Sequence, residues 1–285
     1  MKFLILKITN NCNLRCIYCY REGDGKKDME FKTAKNAIDY ILKRDNRLKI
    51  QFTGGEPLLN FKLIERVVDY CRDEYPDKNI SYAIQTNGTL LEEEIIEKIK
   101  ELGLKVGVSL DTIDPNDTTL RPYRDGKPST LDTLRGIYLL REKGVPFGIT
   151  TVVTSKNLPH LKDLVYYLAS IGVRSISFDL LKPKREEHLT LLPDEEEFRR
   201  VLEEIRDLPI YVKNLRRNSK DKYCYLNSGD LLFVNEVGDI YPCPTLEGYF
   251  HRGNINSGED IKLFKVRCRE CFARVYLLKV INVSP

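Results

Sequence analysis

The sequence predicts an α/β fold built on a parallel sheet, either open or curled part-way into a barrel. Strand-like and helix-like runs alternate six times before residue 207. The strand runs are continuously apolar, as they are when both faces of a sheet are covered. The repeat is about 30 residues per unit, which suits a barrel-type sheet, and six units are fewer than the eight that close a full barrel.

Residues 3–9 read as a buried strand, short, apolar and β-branched at Ile5, Ile8 and Thr9. Thr33 is placed to cap a helix with its apolar stripe at Ala34, Ala37, Ile38, Ile41 and Leu42. Leu48 to Phe52 form the second strand, ending in Thr53-Gly54-Gly55. The helix from Phe61 to Glu74 puts Ile64, Val67, Val68 and Cys71 on one face, which makes Cys71 a small core residue. The third strand, Ile80 to Ile84, runs into Gln85-Thr86-Asn87-Gly88. Leu91, Ile95, Ile99 and Leu102 follow at helical spacing, and Gly103 stands where a helix-ending glycine belongs.

Strand four is Val106 to Asp111, followed by a polar loop from Thr112 to Pro128. Ser129-Thr130-Leu131-Asp132 has the pattern of a capping box opening a helix that ends near Gly144. Strand five is Phe147 to Val153, a helix carries Leu158, Leu161, Leu164, Val165 and Leu168, and strand six is Val173 to Leu180. Asp194 to Arg206 reads as an acidic amphipathic helix with Phe198, Val201, Leu202 and Ile205 inward. A basic connector with Lys213, Arg216, Arg217, Lys220 and Lys222 around Asp221 then leads into a tail rich in Gly, Asn, Tyr and Cys. The expected domains are therefore 1–210 and 211–285.

With 285 residues the chain can bury one large core. No apolar run approaches the ~20 residues of a membrane span, and the first strand is too short for a secretory signal. The expected location is cytoplasmic. A net charge of +4 gives no sign of nucleic acid as a partner. Eight cysteines in a chain without an export signal favour metal or cluster ligation over disulfides.

Three of those thiols, Cys12, Cys16 and Cys19, fall within eight residues after the first strand. Structural zinc wants four protein ligands, whereas a cubane held by three thiolates keeps one iron open. A zinc knuckle borrowing a distant ligand is the bland alternative. The pattern CxxxCxxC with Tyr18 before the last Cys, together with Gly54-Gly55-Glu56-Pro57 after the second strand, resembles the radical S-adenosylmethionine (SAM) enzymes. That resemblance implies a partial (β/α)6 TIM-type barrel and a [4Fe–4S] cluster on Cys12, Cys16 and Cys19. The open iron would be chelated by SAM, whose reductive cleavage gives a 5′-deoxyadenosyl radical that abstracts hydrogen from a substrate. It also implies SAM contacts from Tyr18, Gly54, Gly55 and Glu56. Thr86, Asn87, Ser109 and Asp111, at the ends of strands three and four, are further candidates, though such residues also form ordinary turns. Arg124, ahead of Arg121, is the candidate clamp for the SAM carboxylate, and Thr151 and Leu180 are placed by family layout near the adenine.

Cys224, Cys243, Cys268 and Cys271 resemble the C-terminal twitch extension of that superfamily, the shorter relative of SPASM domains. Four thiols can complete a second, auxiliary [4Fe–4S] cluster, and a zinc ribbon is the rival. The expected substrate is a peptide undergoing crosslinking or side-chain oxidation. The alternative is a small molecule, in a dehydrogenase or cofactor-biosynthesis enzyme. An electron donor such as ferredoxin or flavodoxin is the expected partner. No catalytic acid or base stands out.

Overall fold

The structure, a computed structural model, describes residues 1–21, 25, 27–216 and 224–283. Of the basic connector, Arg217, Lys220, Asp221 and Lys222 lie outside the described residues. Six strand–helix units come first: β1 (Lys2–Thr9), α1 (Phe31–Leu42), β2 (Arg47–Gly54), α2 (Phe61–Glu74), β3 (Asn79–Thr86), α3 (Glu93–Leu102), β4 (Lys105–Ser109), α4 (Thr130–Glu142), β5 (Phe147–Val153), α5 (Leu161–Ser170), β6 (Ser175–Leu180) and α6 (Glu195–Glu204). Two residues of β7 (Tyr211–Val212) follow, then β8 (Leu231–Val234), β9 (Ile240–Tyr241) and α7 (Phe272–Val283).

One open sheet holds all the strands, in the order β7-β6-β5-β4-β3-β2-β1-β8-β9. Every neighbouring pair is parallel except β8 and β9. This is the expected partial barrel. The tail is joined to it through the sheet itself, because β8 pairs with β1 from Phe3–Leu231 to Leu6–Val234.

The two faces of β1 show how the layers are built. Leu4, Leu6 and Ile8 point toward the helices and sit in the main core with Ala34, Ala37 and Ile38. Ile5, on the opposite face, belongs to a small cluster made by the tail residues Leu226, Leu231 and Phe233. Lys7 shares that face and is buried. Its ammonium meets Glu247 at 2.9 and 3.0 Å and forms an ion pair with Glu236 at 3.0 Å. Asn235 and Lys184 complete the network by donating to the Glu247 carboxylate and carbonyl. An aliphatic stripe and a buried ion cluster thus hold the tail onto the barrel.

Gly103 takes the left-handed conformation that ends α3, at φ 69°. Asp194 caps α6 by accepting from the amides of Glu196 and Glu197, each at 2.8 Å. Two expected caps are absent. α1 begins at Phe31, so Thr33 lies inside its first turn, where its hydroxyl accepts from Asn256. Ser129 precedes α4 but donates to the Arg121 carbonyl at 2.6 Å, and Asp132 accepts from Tyr123. At α4 both members of the expected box, Ser129 and Asp132, are drawn away by the loop that carries Arg121. Cys71 is buried in the core, as its helical position implies.

His188, in the turn after β6, is fully buried; one ring nitrogen accepts from the Lys184 amide at 3.2 Å and the other has no hydrogen-bond partner among the described residues. Burial pushes its pKa down from 6.5 to about 4. The folded value lies below the unfolded one, so the unfolded chain takes the proton more readily. Stability present above pH 6.5 is expected to fall as the pH drops toward 4, by on the order of 2–3 kcal/mol. Denaturant midpoints at pH 7 and pH 4.5 check this, and His188→Leu should flatten the dependence.

Candidate functional site

The three-thiol loop continues directly from β1 and is held on two sides. On one side it pairs with the loop after β4: the Arg15 amide donates to Pro122 at 2.8 Å, Ile17 to Leu120 at 3.2 Å, and Arg124 back to Asn13 at 3.2 Å. On the other side the Gly54-Gly55 turn runs beneath it. The Gly55 amide donates to the Thr9 carbonyl at 2.9 Å and that of Glu56 to Asn11 at 2.7 Å. A β-carbon on Gly55 would sit 2.0 Å from the Asn11 carbonyl oxygen, and one on Gly54 2.3 Å from that of Thr9. The glycine pair is what allows the two backbones to meet.

Between these loops and the C-terminal ends of β1 to β6 lies a cleft of about 1000 Å³. That rim is where sheets of this kind place their sites. Of the residues expected at the site, Cys12, Cys16, Tyr18, Cys19, Gly54, Gly55, Thr86, Asn87, Ser109, Arg124 and Leu180 line it.

Three expected residues stand behind the wall. Glu56 is fully buried and accepts from the Thr86 hydroxyl at 2.7 Å, the Asn87 amide at 2.7 Å and the Leu58 amide at 3.0 Å. Its carboxylate ties the end of β3 to the glycine turn, with a pKa raised by burial. Asp111 is likewise enclosed, accepting from the Tyr18 hydroxyl and the Val152 amide beside the Arg121 guanidinium. Thr151 points out of the barrel and donates to the Leu110 carbonyl at 2.6 Å. Side chains alternate along a strand, so its neighbours Thr150 and Val152 face the cleft instead.

Other lining residues were not singled out in the sequence: Gln51, Gln85 and Lys182. The two glutamines had a signal. Each interrupts an apolar strand near its end, and Gln85 donates to Ser109 at 3.0 Å across the barrel interior. Both arginines of the loop after β4 reach the cleft. Arg124 donates to the Cys12 carbonyl at 2.7 Å. Arg121 donates to the Tyr18 hydroxyl at 2.7 Å, and its buried Nε has no hydrogen-bond partner among the described residues.

Burial pushes the Cys16 thiol up to about 12, against the pull of Arg121, and raises that of Cys12 as well. Such thiols shed their protons when a metal takes them. In the tail, burial raises Cys243 to about 12 and also lifts Cys224. Cys271 acts electrostatically on both, and Cys268 on Cys224, so the four thiols share one neighbourhood. Asn227 fastens it by accepting from the Cys224 amide at 3.0 Å and donating to the Cys268 carbonyl at 2.7 Å. Half-buried Tyr20 is within electrostatic reach of both sets, through Cys19 and Cys243. Among the described residues, no three His, Cys, Asp or Glu side chains converge as ligands of a single ion.

Residues 6–168 match the family model described as the radical SAM superfamily. An uncharacterized protein of Methanocaldococcus jannaschii is 65% identical over 98% of this chain and 97% of its own length. The radical SAM cyclopropyl synthase TigE of Paramaledivibacter caminithermalis is 30% identical over 92% of this chain, which spans 61% of TigE. A probable GTP 3′,8-cyclase of Methanococcus maripaludis is 27% identical over 93% of each chain. Among solved structures, native anSMEcpe with bound AdoMet and the Cp18Cys peptide superposes with a TM-score of 0.78 at 21% identity, covering 99% of this chain and 83% of that one. At that identity the likeness is one of fold. The matched span contains the three-thiol loop and the glycine turn folded against it, and more than half of the chain: this protein belongs to the radical SAM superfamily.

Proposed function

We infer, from membership of the superfamily, that the protein works with a [4Fe–4S] cluster and SAM. We propose that Cys12, Cys16 and Cys19 hold that cluster and that the cleft takes SAM together with the reacting part of a peptide substrate. The observation that carries this is the opening of the three-thiol loop onto a cleft walled by the polar ends of β2 to β6. When bound, the cluster and SAM supply a 5′-deoxyadenosyl radical that abstracts hydrogen. This chain's residues bind and orient. The glycine turn offers backbone carbonyls to an ammonium group. Arg121, whose Nε has no hydrogen-bond partner among the described residues, suits a carboxylate better than Arg124, whose Nε is already engaged. Tyr18 and Asp111 hold Arg121 in place. Gln51, Gln85, Ser109 and Thr150 furnish hydrogen bonds for a ribose or substrate.

Cys224, Cys243, Cys268 and Cys271 suit an auxiliary [4Fe–4S] cluster. Tetrahedral zinc at 2.3 Å per bond draws its sulfurs to within about 3.8 Å of one another, whereas a cubane spreads them. Four thiols sharing one neighbourhood can be spanned by the larger group. An auxiliary cluster beside the cleft would serve electron transfer, with a reductant such as ferredoxin or flavodoxin as partner. Peptide substrates are favoured by the fold shared with a peptide-bound anSMEcpe. A small-molecule substrate is the second reading, favoured by the GTP cyclase relative, which the chain matches over nearly its whole length.

Anaerobic reconstitution tests the cluster assignments. About eight iron atoms per chain are expected from two cubanes. About four, accompanied by one zinc, would remove the auxiliary cluster. SAM with dithionite should release 5′-deoxyadenosine, and none should appear in Cys16→Ala. Mass spectrometry of candidate peptides incubated with the enzyme separates the two substrate readings.

A further inference from the structure

The cleft is more positive than SAM requires. Six cations line it, Arg15, Arg21, Arg121, Arg124, Lys182 and Arg185, against two carboxylates, Asp179 and Glu187. Both carboxylates are already paired, Asp179 with Lys182 and Glu187 with Arg185 at 2.7 Å. Buried Asp111 offsets Arg121. Three arginines brace the thiol loop through its carbonyls: Arg21 donates to Asn10, Arg124 to Cys12 and Arg185 to Cys19.

The groups assigned to the cleft under the proposed function do not absorb this charge. A cubane on three thiolates brings about one negative charge. SAM brings one positive charge net, since its sulfonium and ammonium outnumber its single carboxylate. Glu56 lies within electrostatic reach of Arg121, and the tail thiols Cys243 and Cys271 of Lys182, so the inner cations are matched and the unmatched charge is at the outer arginines, where a positive wall gathers ligands of the opposite sign.

Arg15 shows where the surplus is directed. It stands between two of the thiols, exposed, on a backbone fixed by its bond to Pro122. Its side chain makes no hydrogen bond or ion pair among the described residues, yet it lines the cleft. A planar guanidinium held out in this way matches a carboxylate or phosphate in two-pronged fashion.

We propose that the substrate is anionic near its reacting carbon, bearing a carboxylate or phosphate, and that Arg15 is its anchor at the mouth of the cleft. This rests on the reading of the cleft as the SAM site and adds the chemical class of the second ligand. The anion could be the acidic side chains of a peptide or the phosphate of a small molecule, and the test has an arm for each.

The experiment is calorimetric titration of the reconstituted, SAM-loaded protein with three probes: a Glu-Ala repeat peptide, the matching Lys-Ala peptide, and inorganic pyrophosphate. At low salt, the Glu peptide or pyrophosphate should bind at least about tenfold more tightly than the Lys peptide, and the preference should fade as salt is added. Arg15→Gln should weaken the favoured anion about fivefold or more, Arg15→Lys should recover part of the loss, and SAM affinity should stay within about twofold in both. Peptide preference identifies an acidic peptide, and pyrophosphate preference a phosphorylated small molecule. Equal binding of the acidic and basic peptides with none of pyrophosphate, or an anion affinity untouched by Arg15→Gln, overturns the proposal while the SAM site stands. Failure of SAM to bind, with anion binding kept, overturns the reading of the cleft instead.

Discussion

Glu56→Ala is expected to destabilise the protein by about 3–5 kcal/mol, the largest effect of any single change near the cleft. The carboxylate accepts three hydrogen bonds in a site closed to water, from Thr86, Asn87 and Leu58. Removing it strands all three donors. Glu56→Gln keeps one oxygen but turns an amide donor toward another donor, and should cost about half as much. Thr86→Val removes a single bond and should cost about 1 kcal/mol. Denaturant unfolding gives these differences directly. SAM affinity should fall with them, because Glu56 fixes Thr86 and Asn87 on the cleft wall. Unchanged stability in Glu56→Ala would mean that the carboxylate is free to serve a ligand instead.

Lys7→Met is expected to cost a similar amount, about 3–5 kcal/mol, for a different reason. The lysine is the cation between Glu236 and Glu247 on the seam where the tail meets β1. Without it two carboxylates face each other in a buried site. The damage should be local to the seam, so limited proteolysis should cut the tail while the barrel resists. The paired change Lys7→Met with Glu247→Gln should recover part of the loss. If Lys7→Met alone leaves the midpoint within about 0.5 kcal/mol, the ion cluster is not what holds the tail.

The barrel was legible in the sequence because parallel strands covered on both faces leave long apolar runs, and each unit ends in a turn of recognisable chemistry. The thiol loop and the glycine turn were legible for the same reason: local patterns with one physical use. What was lost depended on phase or on distance. Thr151 was one residue out of step, and only the alternation set by neighbouring strands shows that Thr150 and Val152 face inward. Glu56 was sought in the cleft, yet its direction is decided by Thr86 and Asn87, some thirty residues away. Lys7 drew no reading inside its apolar strand, because its partners are about 230–240 residues away. The four residues of β8 carry too little pattern to reveal that they pair with β1.

That last pairing has a consequence in time. β1 precedes every other strand of this sheet, but one of its two edges stays open until residues 231–234 have been synthesised. Closing so long a chain segment carries an entropic cost, and contacts of this separation form late. The strand that bears the thiol loop is thus held from one side only while the intervening strands are made. The loop reaches its final rigidity only after β8 has been made, so cluster insertion belongs late in the folding of this sheet. Pulse-labelled hydrogen exchange should show the amides of Phe3 and Ile5 among the last of the sheet to gain protection.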